Sequence, residues 1–416
     1  MSRSHLSLPA TRREFLARSA KGLGLIALAP VAPRFLTQSV LAGAPPPEKD
    51  RTILVLIQLA GGNDGLNTLI PYQDDHYYRL RPNLAIRDPQ RIPLSDELAL
   101  HPACTELARL YDSGNLTLIQ NVGYPNPNRS HFRSTEIWET ASDSDQSLSS
   151  GWIGRFFDNT CSGAPEPDPR GIHVGTPTPP TLIGDAQHSL FGLENRRSFQ
   201  NSSDPQRDLL SSLSQSNPLN ETHRFLQHTS MNALVTEDRI LKLLRRYRPA
   251  TNYPHTPLAR NLQQIAAMIA AGLSTRVYFT THSGYDTHAR QLNLHAALLK
   301  QFSQAIAAFQ KDLHALRLQN QVLTLVFSEF GRRPAENRSR GTDHGTAAPL
   351  FLFGNQIQPG IFGSSPSLQL QQQQDLPFQI DFRQVYASIL QNWFHTPPLP
   401  VLGQPFQTLP ILHPFT

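Results

Sequence analysis

The stretch TILVLIQL at residues 52–59, followed by AGGNDG at 60–65, decides how the rest of this 416-residue chain is read. Eight residues almost without a polar break, dominated by Ile, Leu and Val, match a strand covered on both faces, as in the middle of a parallel sheet. Gly61 and Gly62 then let the backbone turn sharply and place Asn63 and Asp64 at the edge of that sheet. Taken alone, Asn-Asp-Gly is equally a turn that uses these residues for their positive-φ positions.

Working outward, apolar runs alternate with segments of helical period. Residues 103–111 read as a helix, 116–122 as a second strand and 130–141 as a helix. Helical patterns return at 221–247 and 257–271. Then come a strand at 275–281, a long helix near 290–318, strands at 322–327 and 350–353, and a closing helix at 382–394. This alternation predicts an α/β fold with a doubly wound, mostly parallel sheet and helices on both faces. The Pro/Gly-rich passage at 161–180, the Ser/Asn/Gln-rich residues 196–220 and the Gln patch at 369–374 read as surface excursions and loops. Residues 45–416 are expected to form a single domain with irregular insertions near 161–220.

Residues 1–44 read as an export signal. TRREFL at 11–16 sets two arginines ahead of Phe15-Leu16, a mildly apolar stretch covers 22–32, and Ala42 and Ala44 offer a peptidase its small residues. The apolar stretch is too short, and too broken by Pro30, Pro33 and Arg34, to span a bilayer, and no transmembrane candidate follows. The expected partner during export is the twin-arginine translocase, and the destination is the periplasm or beyond. That route carries folded proteins, so a metal can be inserted before export.

The signal also changes the meaning of the charge. The whole chain has 37 Lys+Arg against 32 Asp+Glu, net +5. Residues 1–44 hold six of the basic side chains (Arg3, Arg12, Arg13, Arg18, Lys21, Arg34) and one acid, Glu14, so the remainder is neutral at 31 against 31. No long basic run is left to follow a phosphate backbone, and nucleic-acid binding loses its main support. Two cysteines, Cys104 and Cys161, are too few for a disulfide scaffold or a cysteine-ligated metal. They can pair in an oxidising compartment only if their Cα atoms approach closely, which the sequence does not fix.

In doubly wound sheets, functional groups gather beyond the carboxyl ends of the strands. The polar clusters of this sequence fall there. Asp64 follows the first strand. The second runs into NVGYPNPNRSHF at 121–132, where Ser130 opens a helix either as its cap or as a nucleophile or metal-bound alkoxide, helped by the helix dipole and adjacent His131. The strand at 275–281 leads to Asp286 and His288, two apart on a loop that Gly284 introduces. That spacing suits a divalent metal taking mixed N and O ligands, or else is a polar loop with a satisfied histidine. The strand at 322–327 ends in SEFGR with Glu329, and Asp343-His344 sits between glycines before another buried run. Metal ligation or acid–base chemistry suits that pair, and a salt bridge from Asp343 to Arg332 or Arg333 is the structural alternative. The coincidence of Asp64, Ser130, Asp286, His288, Glu329, Asp343 and His344 favours one site over scattered loops.

GGNDGLNTLIPY (61–72), NRSHFRSTEIWETA (128–141), GYDTHARQ (284–291), SEFGRRPAEN (328–337), GTDHGTAAPLFLFG (341–354) and DFRQVYASIL (381–390) resemble, in order, the exported bacterial family called domain of unknown function 1501. That family looks like a remote branch of the alkaline phosphatase and sulfatase superfamily. The resemblance implies an alkaline-phosphatase-like sheet with strand-end ligands for one or two divalent metal ions. It also implies hydrolysis of a phosphate or sulfate ester, with a small anionic ester or a glycan as substrate. Asp64 matches the Asp after the first strand, and Ser130 the nucleophile, with His131 beside it. Asp286 and His288 resemble the Asp…His pair, with a shorter gap than usual.

Two alignments serve for the rest. In one, Asp343-His344 is the Asp-His pair and the final histidine is His395 or His413. In the preferred one, SEFG at 328–331 stands where members end a strand with Asp-His-Gly, and Asp343-His344 takes the place of the final histidine. One metal then takes Asp286, His288 and His344, and the other Asp64, Ser130 and Glu329. Phe330 departs from the pattern by replacing a histidine, which weakens one metal site or leaves a single ion. Arg129, Arg332 or Arg333 would hold the anionic oxygens, Arg332 being the expected catalytic choice. The alternative function is a non-catalytic binding or cell-surface assembly protein that keeps the fold.

Overall fold

The computed structural model describes residues 51–87, 91–160, 168–175, 177–186, 188–193, 212, 215, 220–371 and 374–413. The signal at 1–44, Cys161 and most of 196–220 lie outside them. The strands in chain order are β1 (Ile53–Ala60), β2 (Leu69–Pro71), β3 (Ile92–Pro93), β4 (Leu98–Leu100), β5 (Leu116–Gly123), β6 (Gly171–Val174) and β7 (Leu190–Leu193). They continue with β8 (Val277–Ser283), β9 (Val322–Phe327), β10 (Arg332–Glu336), β11 (Thr342–His344), β12 (Ala348–Phe353), β13 (Gly360–Phe362) and β14 (Ile380–Asp381).

The opening stretch behaves as its composition requires. Along β1, Ile53, Val55, Ile57 and Leu59 enter one hydrophobic core while Leu54 and Leu56 enter another, so the two-residue period of a strand feeds both faces. The first core is closed by helices α1 (Thr105–Asp112), α4 (Glu221–Arg246), α5 (Pro257–Ala270) and α6 (Gln291–Ala315). The second is closed by α2 (His131–Thr140), α3 (Trp152–Thr160) and α7 (Phe382–Ser388). Among the described residues the main sheet runs β13-β5-β12-β9-β1-β8-β6-β7, with β14 also pairing with β5. The fold is α/β with a mostly parallel sheet.

One strand breaks the parallel pattern. β12 is antiparallel to both β5 and β9, with Ala348 opposite Val122 and Phe353 opposite Thr324. Its first residue therefore lies on the edge where β1, β5, β8 and β9 end. That reversal brings His344, which precedes a strand, to the same edge as residues that follow strands.

Several elements differ from the sequence reading. The Pro/Gly-rich passage at 161–180 supplies β6, a fully buried strand between β7 and β8, and is not only an excursion. The stretch after Arg332 is a hairpin, β10 against β11, rather than a loop. The closing helix stops as an α-helix at Ser388 and continues as a π-helical turn over Ile389–Trp393. No helix among the described residues is long and apolar enough to cross a membrane. Cys104 is buried in the first core, and burial pushes its thiol up to about 12.

Candidate metal centre

The ladder β9-β1-β8 fixes where the polar loops begin: Gln58 pairs with Phe327, and Ala60 with Ser283. Loops 61–65, 284–290 and 328–331 leave one edge together. They pack so closely that a Cβ at Gly61 would sit 2.3 Å from the Asp286 nitrogen, and one at Gly62 2.4 Å from the Phe330 ring. Both glycines also have positive φ, +119° and +80°. Glycine is required there on two counts.

Four side chains converge on the solvent side of this edge. His288 Nε2 lies 2.9 Å from His344 Nε2 and 3.0 Å from Asp286 Oδ1, and His344 Nε2 lies 3.1 Å from the same oxygen. His131 Nε2 is 3.6 Å from Asp286 Oδ2. The ligand atoms of His131, Asp286 and His344 all lie within 4.8 Å of one another. Metal–ligand bonds of ~2.0–2.1 Å at tetrahedral or octahedral angles bring neighbouring donors to roughly 2.9–3.4 Å. The His288, His344 and Asp286 spacings fall in that range.

Tautomers sharpen the point. His344 Nδ1 is 2.8 Å from the Arg129 carbonyl oxygen, which can only accept, so Nδ1 carries the proton and donates. Nε2 of the neutral ring then aims a lone pair at the Asp286 carboxylate and at His288 Nε2. Electron pairs do not face one another at such distances unless a cation or a proton stands between them. On the other side, His131 donates from Nδ1 to Glu329 Oε1 at 2.9 Å, leaving Nε2 free to ligate. The donor set of imidazoles and one carboxylate fits a divalent first-row metal. The side chains of His131, Asp286 and His288 are a third to a half exposed. An open face of this kind is characteristic of reactive sites rather than closed structural ones.

The electrostatics agree with the geometry. Burial would raise Asp286, but Arg332 at 2.6 Å and His344 hold its carboxyl down at about 2. The hydrogen bond that His131 donates to Glu329 raises His131, whereas burial lowers His344. Phe330 is buried beneath two of the imidazoles, its ring centroid 4.9 Å from His131 and 4.5 Å from His344. Phe330 is thus an apolar floor to the cluster.

The expected residues divide into three groups. Asp286, His288 and His344, which the preferred alignment assigns to one metal, lie side by side. His131, expected as a catalytic neighbour of Ser130, joins them with a ligand nitrogen. Glu329 and Asp343 stand one step behind: Glu329 Oε1 takes the His131 and Gly61 N–H groups, and Asp343 is 3.5 Å from His288 Nδ1. The second expected set does not assemble. Asp64 is wholly buried, paired with Arg81 at 2.7 Å and hydrogen-bonded by Gln291, because a carboxylate this deep needs a counter-charge.

Ser130 occupies the N-cap position of α2, exposed, and its hydroxyl makes no cap bond. Its two chain neighbours both touch the cluster, Arg129 through its carbonyl and His131 through its ring. The expectation that Arg332 clamps a substrate anion is corrected. Its side chain is buried and donates to the carbonyls of Gly61, Gly62, Tyr285 and Thr342 as well as to Asp286. With its side chain fully buried, the guanidinium does not face solvent, where a ligand would arrive. It is also Asp286, not Asp343, that Arg332 pairs with.

Sequence reading missed two supports. Gln291, buried, gives its amide N–H to Asp64 and takes the hydroxyl protons of Thr287 and Thr342, tying the two ligand-bearing loops together. It closes the GYDTHARQ motif, where a signal was available. Arg81 carries no local signal.

The family model described as "Protein of unknown function (DUF1501)" matches residues 51–396. The chain belongs to that family. The matched span of this DUF1501 chain contains all of the site residues from Gly61 to Asp375. No curated protein is similar enough to count as a match. Among solved structures, the chain is similar to the C-terminal periplasmic domain of EcEptC from Escherichia coli in complex with Zn. That likeness has 12% identity, covers 74% of each chain and has a TM-score of 0.35. It is also similar to a protein in the alkaline phosphatase superfamily from Vibrio parahaemolyticus, at 10% identity, 77% and 64% coverage and a TM-score of 0.33. The lipoteichoic acid synthase LtaP from Listeria monocytogenes is similar at 7% identity, 78% and 72% coverage and a TM-score of 0.36. At this distance the likenesses bear on neither fold nor chemistry.

Proposed function

We propose that this DUF1501 protein is an exported, metal-dependent hydrolase of phosphate or sulfate esters. The observation that carries the reading is the gathering of the His131, Asp286 and His344 ligand atoms within 4.8 Å of one another, with His288 against Asp286 and His344, the Nε2 lone pair of His344 turned inward and the outer side open to water. A divalent ion held there would polarise the ester oxygens and lower the pKa of a nearby hydroxyl. The chain's own groups supply the rest. Glu329 orients His131, Arg332 fixes Asp286, and Ser130 presents an exposed hydroxyl between two residues of the cluster. Ser130 Oγ attacks phosphorus or sulfur, the alcohol departs with a proton, and water then cleaves the serine ester to release the anion. Arg129, whose guanidinium is half exposed and shares Asp375 with Arg333, remains able to hold an anionic oxygen. Export is supported by the twin-arginine pattern at residues 11–16.

Elemental analysis of the purified chain and release of phosphate or sulfate from aryl esters test the reading. The expected result is a near-stoichiometric metal, turnover lost on chelation and restored by the metal, and no turnover in Ser130→Ala. An active Ser130→Ala protein removes the serine from the mechanism. Full metal occupancy without turnover on any ester favours the non-catalytic binding protein, a reading that the burial of Arg332 away from solvent supports.

A further inference from the structure

Beside the cluster lies a groove of about 1060 Å³ lined by Arg79, Arg333, Arg338 and Arg340 and reaching Asp343, the partner of His288. That volume is at the top of the ~300–1,000 Å³ range of small-molecule pockets and far more than one phosphate or sulfate ester fills. The charge is local. Residues 45–416 are neutral as a whole, yet four guanidiniums gather here. Only Arg333 is occupied, by Asp375. Arg79, Arg338 and Arg340 are exposed, and their side chains have no partner among the described residues. Two carboxylates also line the groove, Glu336, which takes the backbone N–H groups of Asn83 and Leu84, and Asp343, which takes the amide of Asn337, so four arginines against two acids leave the lining positive. The remaining polar lining is amide, from Asn83, Asn337 and Gln371, which suits hydroxyl groups. Among the described residues no aromatic ring lines the groove, so it lacks the stacking platform that single-stranded nucleic acids use.

We propose that this groove binds a substrate carrying further anions beyond the reacting ester, namely an oligosaccharide bearing several sulfate or phosphate groups. The proposal rests on the hydrolase reading for the role of the reacting ester, while the groove's charge and shape are independent of it. Fluorescence polarisation of a labelled heparin hexasaccharide on the full chain tests it, both with metal supplied and after chelation. Arg79→Gln/Arg338→Gln/Arg340→Gln should weaken binding on the order of tenfold or more in both conditions, and the binding should fall steeply with salt. The corresponding triple Lys variant should keep most of the affinity, and thermal melting should show all variants folded. Unchanged affinity in the Gln variant overturns the proposal. So does equal binding of an unsulfated hexasaccharide, or tighter binding of an oligothymidylate of equal charge. Because the readout needs no turnover, a protein that binds the hexasaccharide through these arginines but cleaves no ester refutes the hydrolase reading and leaves the groove assignment standing.

Discussion

Two carboxylates of this protein, Asp64 and Asp286, lie on neighbouring loops at one edge of one sheet, and both are held ionised, but by opposite means. Asp64 has no exposed side-chain surface, and burial works against its charge until Arg81 and Gln291 compensate. Asp286 is about half exposed, with Arg332 on its inner side and three imidazoles on its outer side. The first arrangement is closed, its charge balanced by the chain itself. The second is balanced from within and still offers electron pairs to solvent. The same residue type after two adjacent strands therefore serves as a structural anchor in one place and as a ligand in the other, and what separates them is which side the counter-charge comes from.

The largest effect should come from breaking the closed pair. Arg81→Met leaves Asp64 buried without a counter-charge and should destabilise the fold by about 3–5 kcal/mol in denaturant unfolding. Below pH 3.8 the penalty should shrink. The folded pKa of Asp64 is depressed, so the stability its ionisation provides is present above that value and lost as pH falls through the folded pKa. The open cluster should behave in the reverse way. His344→Ala should reduce metal affinity by more than the roughly 10–100-fold typical of outer-shell losses, yet change stability in the metal-free state by less than about 1 kcal/mol, since the ring is partly solvated. If His344→Ala unfolds the protein as Arg81→Met does, the contrast between the two regions fails.

Glu329→Gln probes the boundary between the regions, because Glu329 is buried but acts on an exposed ring. Its charge raises His131 and fixes the ring through Nδ1. Removing that charge should weaken metal binding about 10–100-fold and lower the pKa of His131, followed by NMR titration of the metal-free protein. A shift in metal affinity without a shift in the His131 pKa would contradict the orienting role.

How much of this the sequence revealed depends on the range of each signal. The strand at 52–59 was legible because hydrophobicity on both faces is local, and the strand at 322–327 matches the observed bounds. Strand β6 was not, since GIHV is four residues long and is followed by a Pro-rich run that reads as turn. Asp286, His288 and His344 were legible as a set through family resemblance and strand ends. The route by which His344 reaches them was not, because it depends on β12 running against its neighbours, which no local pattern encodes. Arg332 was assigned to a ligand because an exposed and a buried arginine look alike in sequence. Its partners are the Asp286 carboxylate and carbonyls from two loops and β11, a fact that exists only after folding. The Asp64–Arg81 pair was hidden for the same reason.

A third carboxylate shows what happens when neither a counter-charge nor solvent is available. Glu139, near the end of α2, is buried against the second core, and burial raises its pKa from 4.5 to about 8. No hydrogen bond or ion pair from the described residues assists it. The sign of the effect on stability is opposite to that of Asp64. With the folded pKa above the unfolded one, the contribution of the protonated acid is fully present below pH 4.5 and is lost as pH rises through about 8. Glu139→Gln removes the ionisable group while keeping size and polarity. It should stabilise the protein by about 1–3 kcal/mol at pH 8 and change little at pH 4. Melting curves across that range measure this directly. A Gln variant that gains stability equally at both pH values would show that packing, not charge, separates Glu139 from the two aspartates.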